Sequence, residues 1–80
     1  MKKQGELNKM RILFVDSTHK SLPDKLEQAG FQVDYRPDIP SNDIHQVIKD
    51  YEGIIIRSKI KINKEIIDVA TKLKFIGRVG

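Results

Sequence analysis

Short apolar runs alternate with helix-periodic segments from Arg11 onward, and this alternation constrains the fold more than any other feature. Residues 11–16 (RILFVD) hold four consecutive apolar residues, too few for a helix and rich in strand formers, as suits a strand covered on both faces. Ser21 is then a candidate N-cap, Pro23 and Asp24 suit a first turn, and Leu22, Leu26 and Ala29 recur at helical spacing before Gly30 supplies a stop. FQVDY at 31–35 alternates as a second strand and ends at the Pro37-Asp38 turn signal. The unit repeats with Ser41 as a cap behind Pro40, and with Ile44, Val47, Ile48 and Tyr51 at i, i+3, i+4 and i+7 until Gly53 breaks the helix. Residues 54–56 form a third buried strand. Asn63 caps a third helix with Glu65 in its first turn, Ile66, Ala70 and Leu73 on one face, and Lys72 and Lys74 toward its negative end. KFIGRVG supplies a fourth strand and its exit.

A β-α-β-α-β-α-β series specifies parallel strands joined by right-handed helical crossovers, hence an open α/β sheet. The usual solution is a flavodoxin-like strand order of 2-1-3-4. At 80 residues the chain makes at most one small domain, whose burial is inefficient and whose stability is expected to be marginal without further chain or a partner.

Charge and composition narrow the function. Lys2, Lys3, Lys9 and Arg11 against Glu6 give residues 1–11 a net charge of +3 out of +4, leaving only +1 for the remainder. Residues 1–10 therefore read as a flexible basic leader, and with no aromatic platform beside it nucleic-acid binding is not expected. The chain has no cysteine, which removes disulfides and thiolate metal sites and fits a reducing compartment. No apolar stretch approaches the ~20 residues of a membrane span and the start is unlike a signal peptide, so a cytoplasmic protein with no membrane partner is expected.

Ligands of an open parallel sheet sit beyond the carboxyl ends of its strands, where the strand order reverses. For order 2-1-3-4 that point lies between the first and third strands, whose exits are Asp16-Ser17-Thr18 and Arg57-Ser58. A guanidinium offers paired donors to a carboxylate or phosphate and a serine hydroxyl adds one more, so a small anion is the ligand class. Lys59 and Lys61 raise the local positive potential or stay solvated. The alternatives for Arg57 are exit into water or pairing with Asp16, and those for Asp16 are a magnesium ligand or closure of the β1–α1 turn. His19 can reach a ligand at the mouth or remain an exposed loop residue. With His45 on a separate segment and no further ligand at metal spacing, no metal site is expected. Gly77-Arg78-Val79-Gly80 lacks dinucleotide spacing.

GIIIRSKIKINKEIIDVATKLKFIGRVG resembles a segment of the D-isomer-specific 2-hydroxyacid dehydrogenases, where an apolar strand ends in Arg-Ser and a helix and strand lead into Ile-Gly-Arg-X-Gly. RILFVD and LEQAGFQVDY fit the same pattern, so the resemblance covers about residues 11–80. It implies the N-terminal part of a flavodoxin-like substrate-binding domain over 11–80, with Arg57, Ser58, Val79 and Gly80 at the anion of a small 2-hydroxy acid. It also implies NAD as cofactor and homo-oligomerisation of the intact enzyme. The family's NAD-binding domain and its catalytic Arg, Glu and His lie past the last glycine, so no catalytic residue and no cofactor-binding residue is expected in this chain. These 80 residues alone are expected to be inactive and, with an incomplete domain, prone to self-association. Two other readings stay open: a receiver-like signalling or interaction module, supported by LFVDS but opposed by Arg57 where a phosphoryl-accepting aspartate belongs, and an engineered half-domain.

Overall fold

A computed structural model describes residues 10–79; nearly all of the basic leader, and Gly80, lie outside the described residues. The elements run β1 (Arg11–Phe14), α1 (Ser21–Gln28), β2 (Gln32–Tyr35), α2 (Ser41–Val47), a 3-10 turn (Ile48–Asp50), β3 (Gly53–Ile56), α3 (Lys64–Val69) and β4 (Phe75–Arg78). All neighbouring strands are parallel, in the order β2-β1-β3-β4. This is the open α/β, flavodoxin-like arrangement expected from the alternation.

Position in the sheet explains the composition of each strand. β1 and β3 are central and covered on both faces. Leu13, Val15, Ile54 and Ile56 pack with Ile39, Ile44, Ile48, Tyr51, Ile66 and Ala70 on the side of α2 and α3. Ile12, Phe14 and Ile55 face the other way, against Leu22 and Leu26 of α1 and against Phe31, Val33 and Phe75. Each fully buried aliphatic side chain of this kind contributes about 1.5–3 kcal/mol. The edge strand β4 alternates instead, with Phe75 and Gly77 half-buried and Ile76 and Arg78 exposed. Among the described residues, no helix is long and apolar enough to cross a membrane.

Local details depart from the sequence reading in informative ways. Ser21 and Ser41 are the first residues of their helices, not caps; Lys20 and Pro40 hold the cap positions and neither makes a side-chain cap bond. Ala29 is exposed, and Pro23 takes the buried place on α1. Gly30 does stop that helix, at φ 103°, a backbone region glycine enters without a Cβ penalty. The second helix ends at Val47 and tightens into the 3-10 turn, so Tyr51 leaves in extended conformation (φ −119°, ψ 141°) with its ring still buried. Asn63 caps α3 as expected, its Oδ1 accepting the Ile66 N–H at 3.1 Å. That helix ends at Val69, and Leu73 reaches the core from the connection beyond it. Gly53 opens β3, because the Phe75 ring from β4 occupies the space a Cβ would need.

The lower end of the sheet is tied by a polar cluster. The Arg11 guanidinium lies 4.6 Å above the Tyr51 ring centroid, 3.1 Å from the Asp34 carboxylate and 3.3 Å from the Tyr51 hydroxyl, which also donates to Asp34. Hydrogen bonding from Tyr51, aided by Arg11, holds the Asp34 carboxyl below its ordinary range despite the opposing effect of burial. Burial first, and then the bond to Asp34, push the Tyr51 hydroxyl up to about 12.

Two outcomes follow. Gly53→Ala should cost about 1–3 kcal/mol by overpacking against Phe75, read as a lowered midpoint in urea unfolding. A depressed Asp34 pKa stabilises the fold above the unfolded carboxylate value of about 3.9 and is lost as pH falls through the lower folded value. The stability difference between wild type and Asp34→Asn should therefore be largest near neutral pH and shrink below about pH 4; a constant difference from pH 6 to 3 would contradict this.

Candidate functional site

β1 and β3 run side by side and leave the sheet at the same rim. The Val15 N–H still donates to the Ile55 carbonyl (3.2 Å), and the chain then turns outward at Asp16. The Asp16 carboxylate reaches across to the β3 exit, where one oxygen accepts the main-chain N–H of Arg57 at 2.7 Å and that of Lys59 at 3.2 Å. Asp16 thus closes the loop after β3 and not the turn after β1. It also makes no ion pair with Arg57 among the described residues, because it is engaged with that residue's backbone. The Arg57 guanidinium stays exposed, with Nη1 donating to the Ser17 carbonyl at 3.3 Å.

Lys59 is more constrained than a solvated lysine. Its Nζ donates to the carbonyls of Pro37 (2.5 Å) and Ile39 (2.8 Å), so the ammonium anchors the β2–α2 connection while its charge stays near the β3 exit. Lys61 is exposed and lines a groove with Ser58 and Arg78. On the β4 side, Val79 is held by its N–H to the Ile56 carbonyl at 2.9 Å. Arg57, Ser58, Arg78 and Val79 together line a cleft of about 230 Å³. A second cleft of about 380 Å³ lies between Arg57 and Val79 on one side and Ser17, Thr18, His19 and Leu22 on the other.

Of the residues expected to surround an anion, Arg57, Ser58 and Val79 are brought together, and Gly80 lies outside the described residues. Arg78 was not anticipated, although its signal is present: β4 pairs Arg78 with Ile56, the residue before Arg57, which puts a second guanidinium beside the β3 exit. His45 lies elsewhere, on α2, with Nε2 3.7 Å from the Glu65 carboxylate. Among the described residues no group of three His, Cys, Asp or Glu side chains could hold a metal. Gly77 is a strand residue packed under Ile55, whose Cδ1 lies 2.7 Å from where a Cβ would stand, so it forms no cradle for a pyrophosphate. What the rim offers is donors: two guanidinium groups and the hydroxyl of Ser58, groups whose chemistry suits an oxyanion.

A family model described as D-isomer specific 2-hydroxyacid dehydrogenase, catalytic domain, matches residues 12–80. The chain is similar to the D-3-phosphoglycerate dehydrogenase of Sus scrofa, 30% identical over 73 residues that cover 91% of this chain and 14% of that protein. It is also similar to the D-3-phosphoglycerate dehydrogenase of Methanocaldococcus jannaschii, 32% identical over 71 residues covering 89% of this chain and 13% of that one. For the Synechocystis protein of the same name, identity is 33% over 70 residues, 88% of this chain and 12% of the relative. The chain thus spans 14% or less of the length of these curated relatives.

Asp16→Ala should cost about 1–2 kcal/mol, since it leaves two N–H donors without their charged acceptor. Amide hydrogen exchange should speed up at Arg57 and Lys59 while the strand amides of β1 change only with global stability. Unchanged protection at both loop amides would contradict the anchoring role.

Proposed function

We propose that this chain, which belongs to the D-isomer specific 2-hydroxyacid dehydrogenase family, provides the N-terminal part of the substrate-binding domain of such an enzyme, of the D-3-phosphoglycerate dehydrogenase type. The proposed overall reaction is oxidation of a small anionic 2-hydroxy acid with NAD as hydride acceptor, a step feeding serine synthesis. Cofactor and proton-transfer groups are then supplied by chain outside these residues, and the 80 residues by themselves bind without turning over.

One observation carries the binding role: the Arg57 guanidinium stands at the strand-order reversal with no carboxylate partner among the described residues, bordering two clefts and the groove beside Lys61. Arg57 and Ser58 hold the ligand's carboxylate or phosphate, Arg78 adds charge, and Val79 closes the far side. Fixing the anion in this way limits where the hydroxyl-bearing carbon can lie, and such orientation is how a residue remote from the reacting bond assists a transfer reaction. A receiver-like module has less support. Its phosphoryl acceptor would have to stand where Arg57 does, and the Asp16 carboxylate that would serve a metal is occupied by backbone N–H groups.

Titrating 3-phosphoglycerate into the isotopically labelled chain should move the amide signals of Arg57, Ser58 and Val79 saturably. Arg57→Gln should weaken binding at least about tenfold, the equivalent of one charge-assisted hydrogen bond. Static signals at all three positions in a folded sample, or affinity unaffected by Arg57→Gln, would contradict the proposal.

A further inference from the structure

The loop leaving β1 is fixed more firmly than an exposed connection requires. Asp16 is tied to the β3 exit, the Ser17 carbonyl accepts from Arg57, and the Thr18 main chain is gripped on both sides by Tyr35, whose hydroxyl accepts the N–H at 3.0 Å and donates to the carbonyl at 3.3 Å. The next residue is His19. Its ring is fixed through one nitrogen: Nδ1 accepts the Ser21 N–H at 3.1 Å and lies 2.9 Å from the Ser21 hydroxyl. A nitrogen that accepts a backbone N–H carries no proton, so the neutral imidazole holds its proton on Nε2. Nε2 makes no hydrogen bond among the described residues, and His19 lines the same cleft as Arg57.

From this arrangement we infer that His19 is a specificity-determining residue, its Nε2–H donating to a second anionic group of a ligand whose first anionic group rests on Arg57. This rests on the functional reading above and names the side chain that separates a short hydroxy acid with a negative charge at each end from one with a single charge. The cleft's lining suits such a molecule: Leu22 supplies apolar surface, while Arg57 and His19 supply donors. A ligand with one anionic group has no use for His19. Nothing in the Nδ1 bond itself calls for an imidazole, since an asparagine amide oxygen can accept the same N–H.

That difference provides the test. His19→Asn retains an acceptor for the Ser21 N–H and removes the Nε2 donor, whereas His19→Gln places an amide near the Nε2 position. Affinities of the 80-residue chain for 3-phosphoglycerate and for glycerate are measured by amide-shift titration. His19→Asn should weaken 3-phosphoglycerate about five- to tenfold, as loss of a hydrogen bond to a charged group would, and leave glycerate within about twofold. His19→Gln should keep most of the phosphoglycerate affinity. In the unsubstituted chain, the ring Nε2 resonance of His19 should move with 3-phosphoglycerate and not with glycerate, a readout independent of whether either variant folds. Equal weakening of both ligands, or of neither, together with a static Nε2 resonance, overturns the role of His19 and leaves the Arg57 reading intact. If neither ligand perturbs the folded unsubstituted chain, both readings fall.

Discussion

The Asp16 carboxylate sits between the exits of β1 and β3 and takes two main-chain N–H groups, those of Arg57 and Lys59, on one oxygen. The consequence is electrostatic as much as structural. A carboxylate beside an arginine ordinarily forms a bidentate pair, which would leave little of the guanidinium for a ligand. Here the anion is satisfied by backbone, so the loop is held in place while the cation that the loop carries stays available. Lys59 completes the arrangement by folding away to the Pro37 and Ile39 carbonyls. The rim therefore presents Arg57 and Arg78 without a competing lysine from the first turn of the loop.

Such a rim exists only because the two central strands are buried on both faces. With Leu13 and Ile54 turned one way and Ile12, Phe14 and Ile55 the other, β1 and β3 cannot slip in register without exposing apolar side chains. Their ends are thus fixed relative to each other, and residues separated by about forty positions in sequence meet within hydrogen-bonding distance. The edge strand β4 contributes differently. Its alternation hides Phe75 over Gly53 and turns Arg78 outward next to the exit of β3.

What could be read from the sequence was what local chemistry decides. Continuous apolar runs at 12–15 and 54–56 announced doubly covered strands, Gly30 announced a helix end, and Asn63 with its carboxamide announced a cap. Where two local signals competed, the sequence was ambiguous. Ser21 and Ser41 look like caps, but Lys20 and Pro40 take that position, and the Ser21 N–H is served by His19 instead. Tyr51 continues a helical spacing although the chain has already straightened, because its ring is drawn into the core from the extended segment leading to β3. That an exposed cation leaves β3 beside the exit of β1 was legible from residue order and topology. The partner of Asp16 was not, since nothing in composition or spacing tells a carboxylate whether to choose a neighbouring guanidinium or the amides beneath it. The same limit applied to Lys59, whose carbonyl partners belong to a distant connection.

The Arg57 guanidinium is free for a ligand only if Asp16 binds the backbone of Arg57 and spares its side chain. Scalar coupling across hydrogen bonds in a doubly labelled sample measures this directly, as a correlation between a donor nitrogen and the Asp16 side-chain carboxyl carbon. A correlation from the Arg57 amide nitrogen, with none from its guanidinium nitrogens, is the predicted result. A correlation from the guanidinium nitrogens and none from the amide would mean that the cation is already consumed by its neighbour, and would contradict a guanidinium left open to a ligand.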